Sequence, residues 1–208
     1  KSMKSELLEG RQTGLSYDVS NLAAVNFNST IAGIEEADVI LLVSTNPRWE
    51  ASLVNTRIRK AVRKGGAKVF GIGPEADQTY KVEWLGDDMS LLAKLPNAVK
   101  DALEQAKKPA LILGGGALSI EGAHGAALKL AKDFKLVRDG WNGFNVLHIG
   151  ASRTGGLMLG YAFEGGIKAI AAKKPKLLFL LGADEMNYEP FGNSFKVYIG
   201  HQDRKSVV

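Results

Sequence analysis

A short polar segment at residues 44–48 contains the side chains of this chain that are best placed to hold a ligand. It follows an uninterrupted apolar run, Val39–Val43, which is rich in β-branched residues and typical of a strand buried on both faces. Ligands of open parallel sheets bind at the carboxyl ends of the strands, so Ser44 is a candidate site residue and Asn46-Pro47-Arg48 could hold a phosphate or a base. A structural explanation is equally good, because Asn46 can close the strand and Pro47 can begin a helix.

A second candidate site is the glycine turn formed by Gly114, Gly115 and Gly116, directly after another apolar run at residues 109–113. Glycines let backbone N–H groups approach an anion at the start of a helix. The segment has neither the strict GxGxxG spacing nor the Lys-Ser/Thr pair of a phosphate-binding loop. A tight structural turn is therefore the favoured interpretation, with phosphate binding as the alternative.

Other reactive side chains form no recognisable catalytic pattern. The three histidines, His124, His148 and His201, are far apart and have no HExxH-type spacing, and cysteine is absent. The sequence therefore offers no thiolate metal site and no catalytic triad. Asp184 and Glu185, which follow a predicted strand, could bind a ribose, although a solvated turn is the simpler explanation.

Composition excludes two classes of partner. The net charge is +5 and the sequence pI about 9.3, but the basic residues are spread along helices and mixed with 22 acidic ones. Without a basic tract interleaved with aromatic residues, we do not expect nucleic-acid binding. No apolar run approaches the ~20 residues that span a bilayer, so we do not expect membrane insertion.

The hydrophobic pattern predicts a doubly wound α/β fold with a mostly parallel sheet and helices on both faces. Buried strands are predicted at residues 39–43, 68–73, 109–113 and 175–182, with a fifth strand at 193–199. Residues 136–146 read as a loop. Residues 1–25 are expected to form an extension or loop, and residues 26–208 one α/β domain with Rossmann-like halves near 26–108 and 109–208.

Several stretches of this chain resemble the large iron–sulfur subunits of NADH:quinone oxidoreductase, respiratory complex I, whose fold is that of the molybdopterin oxidoreductases. The stretches are STIAGIEEADVILLVSTNPRWEASLVNTRIRKA, AKKPALILGGGAL, WNGFNVLH, PKLLFLLGADE and YIGHQD. The resemblance covers about residues 26–203. Because the family's sequence continues beyond this point, the domain is expected to be truncated at its C-terminus.

The resemblance implies that the 4Fe-4S and 2Fe-2S clusters of such a protein are bound elsewhere, by Cys and His residues of an amino-terminal region. In molybdenum enzymes of this fold, an Asn-Pro loop, an Asp-Pro-Arg segment and a Gly-Thr-Asp segment hold the pterin cofactor. This chain keeps Asn46-Pro47 but has Gly73-Pro74-Glu75 and Gly86-Asp87-Asp88 at the other two places. No molybdopterin is therefore expected, and the pocket would be vestigial. Its candidate residues are Ser44, Asn46, Pro47, Gly114 and Gly115.

The resemblance implies a non-catalytic scaffold that contacts other subunits of the complex I peripheral arm. It also implies a peripheral location, on the cytoplasmic face of the bacterial inner membrane or on the matrix side in mitochondria. The alternative is a functional domain of an oxidoreductase that binds a molybdopterin dinucleotide or another nucleotide.

Overall fold

The computed structural model describes residues 5–8, 21–162, 165–183 and 186–200, which belong to two compact units. The larger unit is Tyr17–Met158, and the smaller combines Lys1–Ser16 with Leu159–Val208. The predicted α/β class is confirmed. The predicted division of the chain near residue 108 separates two strands, at 39–43 and 109–113, that are hydrogen-bonded neighbours in one sheet of the larger unit.

The larger unit is built on a five-stranded sheet in the order β3-β2-β1-β4-β7, and every neighbouring pair is parallel. Its strands are β1 (Val39–Val43), β2 (Lys68–Ile72), β3 (Glu83–Trp84), β4 (Pro109–Leu113) and β7 (Phe144–Val146). The strands β5 (Val137–Arg138) and β6 (Trp141–Asn142) pair with each other in a two-stranded antiparallel ribbon.

Helices connect most of the strands. In the larger unit they are α1 (Pro47–Glu50), α2 (Ser52–Gly65), α3 (Asn97–Gln105), α4 (Gly115–Leu118), α5 (Ala123–Asp133) and α6 (Arg153–Met158). Short 3-10 helices cover Leu22–Ala24, Gly33–Glu36 and Met89–Leu92. No helix among the described residues is long and apolar enough to cross a membrane.

The core confirms that the central strands are buried on both faces. Ile40 and Leu42 of β1 belong to an apolar cluster with Ile58 of α2. Because successive side chains of a strand point to opposite faces, Leu41 and Val43 face the other side, and both are fully buried there. This double burial is what the uninterrupted apolar run of β1 requires.

The strand order places a topological switch point between β1 and β4. The chain proceeds outward from β1 through β2 to β3, then crosses back so that β4 pairs with the other side of β1. The carboxyl ends of these two strands are where open parallel sheets bind their ligands. The candidate loop after β1 and the glycine turn after β4 both begin there.

The prediction of a loop at residues 136–146 is wrong, because this segment contains β5, β6 and the fifth sheet strand β7. The pattern of a strand is too short to recognise here, since β7 has only three residues and its central one is polar. That residue, Asn145, is completely buried. Side-chain hydrogen bonds hold β7 in place in addition to apolar packing.

The smaller unit contains α7 (Gly166–Ala172), β8 (Leu177–Leu181), β9 (Phe195–Ile199) and a 3-10 helix at Glu189–Phe191. A strand is present within the predicted residues 175–182, but the prediction that it is a buried strand of the main sheet is wrong. Among the described residues β8 pairs only with β9, in a two-stranded parallel ribbon, and Leu177 and Leu181 are about half exposed. An apolar run records a preference for burial, but it does not identify the sheet that the strand joins.

Candidate functional site

The loop after β1 and the glycine turn after β4 lie together at the switch point. The Ser44 N–H donates to the Ile72 carbonyl at 2.7 Å, and the Gly114 N–H donates to the Val43 carbonyl at 2.9 Å. Ser44 has a left-handed backbone, with φ at 44°, which turns the chain sharply at the end of β1. The Gly114 hydrogen bond thus holds the glycine turn beside the end of β1, where the loop begins.

Protein contacts account for the small size of the residues in the glycine turn. A Cβ atom on Gly114 would lie 2.4 Å from Thr45 Cβ and 2.5 Å from the Ser44 carbonyl oxygen. One on Gly116 would lie 2.5 Å from Ser44 Oγ, and one on Gly115 would lie 2.2 Å from Ile149 Cδ1. These glycines let the turn pack directly on the end of β1 and on its neighbours.

The Glu50 carboxylate places a negative charge beside the loop that precedes α1. Its carboxylate accepts a hydrogen bond from the Thr45 hydroxyl at 2.8 Å and another from the Asn46 N–H at 2.9 Å. These two donors are the groups that a bound phosphate would use at this position. Sequence reasoning missed Glu50, because a capping box has its acid three residues after the N-cap, whereas Glu50 lies four residues after Asn46.

Gln78 occupies the other side of the loop. This side chain is 1% exposed, and its Nε2 donates to Asn46 Oδ1 at 3.0 Å. Its Oε1 accepts a longer hydrogen bond from the Arg48 N–H, at 3.3 Å. Asn55 Nδ2 of helix α2 donates to the Gln78 carbonyl, and Tyr80 donates its hydroxyl to Asn55 Oδ1. A buried polar network therefore ties the loop to α2.

Arg48 is paired with the same covering segment. Its Nη1 lies 2.7 Å from Asp77 Oδ2 and the pair is exposed, so it contributes little to stability. The pKa of Asp77 is held below its usual value first by a hydrogen bond from the Thr79 N–H and then by Arg48. Arg48, which the sequence suggested as a ligand contact, thus forms an ion pair with Asp77.

Replacing Gln78 with alanine is expected to lower the free energy of unfolding by about 2 kcal/mol, because its loss leaves the half-buried Asn46 Oδ1 and the Arg48 N–H without their Gln78 partners. Urea denaturation would measure the change. The matched control is Gln105→Ala at the exposed end of α3, for which a change within about 0.5 kcal/mol is expected. Equal effects of the two substitutions would show that the Gln78 bridge does not hold the loop.

The segments at the other two cofactor positions make local contacts. The Gly73 N–H donates to the Gly86 carbonyl at 2.8 Å, and a Cβ on Gly73 would lie 3.0 Å from Ser44 Cα. Asp88 caps a 3-10 helix by accepting from the Ser90 N–H, a bond that lowers the pKa of Asp88. Glu75 is exposed. These residues support the edge of the sheet beside the loop.

The histidines within the described residues hold the segment that precedes the sheet. His124 Nε2 lies 2.7 Å from the Ala24 carbonyl, and His148 Nε2 lies 2.7 Å from the Val25 carbonyl. His201, Asp184 and Glu185 lie outside the described residues. In the part of the chain that the structure describes, no group of three His, Cys, Asp or Glu side chains could hold a metal ion.

His124 makes stability depend on pH. Burial lowers the pKa of His124 from its ordinary value near 6.5, so below that pH the unfolded chain binds a proton that the folded chain resists. Stability is therefore present above about pH 6.5 and is lost as the pH falls toward the folded pKa. We expect His124→Gln to flatten the dependence of unfolding free energy on pH between about 7 and 5. Parallel curves for the wild type and the variant would contradict this.

Comparison with known proteins agrees with the fold. Residues 3–207 match the family model described as molybdopterin oxidoreductase. The chain is 38% identical over 181 residues to an NADH-quinone oxidoreductase subunit of Rickettsia bellii, in a match that covers 84% of this chain and 26% of that protein. It is 41% identical over 182 residues to the mitochondrial NADH-ubiquinone oxidoreductase 78 kDa subunit of Candida albicans, covering 84% of this chain and 25% of that protein.

A plant relative, the mitochondrial NADH dehydrogenase (ubiquinone) iron-sulfur protein 1 of Solanum tuberosum, is 38% identical over 187 residues, 86% of this chain and 25% of that protein. The chain therefore spans about a quarter of the length of these curated relatives. The predicted resemblance to large complex I subunits is confirmed. Because the family model extends over nearly the whole sequence, the chain belongs to the molybdopterin oxidoreductase family.

Proposed function

We propose that this chain is a structural portion of the large iron–sulfur subunit of an NADH:quinone oxidoreductase, and that it has no catalytic residue of its own. Two of its relatives are named as subunits of such oxidoreductases and a third as an iron-sulfur protein. The electron-transfer chemistry would belong to other parts of the full-length protein and of its complex. This chain would support them mechanically.

The observation that carries the proposal is that the polar groups of the candidate loop are bonded to the chain's own side chains. Glu50 accepts from the Asn46 N–H, and Gln78 donates to the Asn46 side chain. A pterin dinucleotide carries phosphates, which the Glu50 carboxylate would repel at short range. Binding would also have to break the buried bonds of Gln78, at a cost in free energy. The residues present do not fit this cofactor.

The same proposal includes partners and location. The partners would be other subunits of the peripheral arm of complex I. The location would be peripheral, at the cytoplasmic face of a bacterial inner membrane or at the matrix side in mitochondria. The names of the relatives support both, since one belongs to an NADH-quinone oxidoreductase and two are mitochondrial.

A working nucleotide site is the alternative, and one observation favours it. The loop retains Asn46-Pro47 and lies at the carboxyl end of β1, at the switch point of a parallel sheet. In open α/β folds this is the usual place for a nucleotide. If Glu50 and Gln78 moved aside on binding, their present hydrogen bonds would not exclude a ligand.

Nucleotide titration separates the two functions. We expect GDP, as a probe for the nucleotide half of the pterin cofactor, and NADH to leave the melting temperature of this chain unchanged. A ligand that binds only the folded state would raise the melting temperature as its concentration exceeds the dissociation constant. A saturable rise with either nucleotide, lost in the Asn46→Ala variant, would overturn the scaffold proposal.

A further inference from the structure

The outward side of α1 and α2 carries an apolar patch and a basic stripe next to each other. Trp49 is 81% exposed and Leu53 is 66% exposed, four residues apart across the break at Ala51. A tryptophan left this open costs free energy unless another surface covers it. Tryptophan is also among the residue types most enriched at the energetic centres of protein interfaces.

The basic stripe continues from Leu53 along α2. Thr56, Lys60 and Arg63 follow Leu53 at intervals of three and four residues, so they lie on one line of the helix surface, opposite the buried Ile58. The line is about 15 Å long, from the helical rise per residue. A shallow recess in this surface is lined by Thr56, Arg59, Lys60, Arg63 and Lys64.

Three of the four basic side chains that line this recess have no carboxylate partner among the described residues. Lys60 shares the Glu35 carboxylate with Arg57, and together these bases lower the pKa of Glu35. Among the described residues, no carboxylate lies within ion-pair distance of Arg59, Arg63 or Lys64.

The fold explains only part of this pattern. Arg63 and Lys64 are in the last turn of α2, where the helix dipole favours cations. Arg59 lies a full turn earlier and gains little from the dipole. The exposure of Trp49 has no explanation within this unit. An external partner would account for both observations.

We propose that the surface formed by Trp49, Leu53, Arg59, Lys60, Arg63 and Lys64, called here the α2 face, docks an acidic surface of a neighbouring protein subunit. The partner would present an apolar socket for Trp49 and Leu53, flanked by carboxylates that pair with the arginines. Arginine is well suited to this role, because its planar fork binds a carboxylate through two hydrogen bonds. The inference rests on the proposed function, since it identifies where a scaffold subunit meets its neighbour.

The apolar patch favours a protein over a nucleic acid as partner. Leu53 offers no flat ring for stacking on a base, and Glu35 lies among the basic side chains, where it would repel phosphates. Base stacking also uses several aromatic side chains in succession, whereas the α2 face has only Trp49. Aromatic and arginine side chains side by side are the usual composition of a protein interface.

The test uses the full-length protein, tagged and expressed with the other subunits of its NADH-quinone oxidoreductase. Three forms carry Trp49→Ala, the pair Arg59→Glu with Arg63→Glu, or a control pair, Lys129→Glu with Lys132→Glu, on exposed positions of α5. Quantitative mass spectrometry measures the named subunits that co-purify. Hydroxyl-radical footprinting of the wild type compares oxidation of Trp49 in the assembly and in the free protein.

We expect Trp49 oxidation to fall severalfold in the assembly. We also expect each α2-face variant to lose about tenfold or more of the co-purifying subunits, as for the truncation of an interface hot spot, while the control pair retains them. Unchanged Trp49 oxidation, or equal losses in the control pair, would overturn the docking inference alone. A wild type that recovers no such subunits would overturn the proposed function and the docking inference with it.

A further experiment tests nucleic acid as the competing class of partner. A single-stranded oligonucleotide is titrated into the wild type at physiological salt while tryptophan fluorescence is followed. We expect no saturable change. A saturable quench that the Arg59→Glu, Arg63→Glu pair abolishes would overturn the protein partner in favour of a nucleic acid. The footprint is measured on the wild type, so this arm of the test does not depend on the folding of any variant.

Discussion

Replacing Gly114 with alanine is expected to lower the free energy of unfolding by about 3 kcal/mol. The added Cβ would lie 2.4 Å from Thr45 Cβ and 2.5 Å from the Ser44 carbonyl oxygen, both well inside van der Waals contact. Two of its three nearest atoms belong to the backbone, which cannot rotate away as a side chain can. The β1 loop and the β4 turn would have to separate, and urea denaturation would measure the loss.

The matched control is Gly125→Ala on α5. A Cβ on Gly125 would meet no atom within 4 Å, and alanine favours a helix over glycine by about 0.5–1 kcal/mol. We therefore expect this variant to be as stable as the wild type or slightly more stable. If both substitutions had the same small effect, the glycine turn would not be packed on the end of β1, and its phosphate-binding interpretation would gain support.

Asn145→Ala is expected to cost about 3 kcal/mol of unfolding free energy, because it removes the centre of a fully buried polar network. Asn145 Oδ1 accepts from the Ser29 N–H at 2.8 Å, and its Nδ2 donates to Ser29 Oγ at 3.0 Å and to the Gly143 carbonyl at 3.1 Å. Alanine would leave the Ser29 N–H without this acceptor and leave a void beside Leu111. Chemical denaturation would report the loss.

Asn97→Ala provides the comparison, since Asn97 is exposed at the first position of α3 and should change stability by less than about 0.5 kcal/mol. The edge strand β7 should loosen first in Asn145→Ala, so hydrogen exchange at Val146 should accelerate more than at Leu41 of the central strand. Unchanged stability in Asn145→Ala would mean that apolar packing alone holds β7.

The central part of the fold could be predicted because continuous apolar runs in the sequence indicate its buried strands. Strands at residues 39–43, 68–72 and 109–113 are buried on both faces, and continuous apolar stretches are the direct consequence. The edge strand β7 could not be predicted, because its position depends on hydrogen bonds between Asn145 and Ser29, which are 116 residues apart. The ribbon strand β8 has the composition of a buried strand, but in the part of the chain that the structure describes it pairs only with β9.

Sequence reasoning brought the two parts of the candidate site together and predicted a vestigial pocket, but it did not identify the side chains that fill the loop. Strand ends place Asn46 and Gly114 correctly, since parallel strands terminate at a common edge. Gln78, however, lies 32 residues after Asn46, and no local pattern shows that it crosses the loop. Gly73-Pro74-Glu75 indicates that residues which contact the cofactor in the molybdenum enzymes are missing. It does not indicate that Gln78, three residues later, hydrogen-bonds to Asn46.

The most direct test of the account is a cofactor analysis of the purified protein. Molybdenum and tungsten would be measured by inductively coupled plasma mass spectrometry, and pterins by fluorescence and mass spectrometry of the oxidised small-molecule extract. If Glu50 and Gln78 occupy the loop, both metals and pterin should be far below stoichiometric amounts. A content near one pterin, with or without its metal, per chain would contradict the account and would make the loop after β1 a working cofactor site.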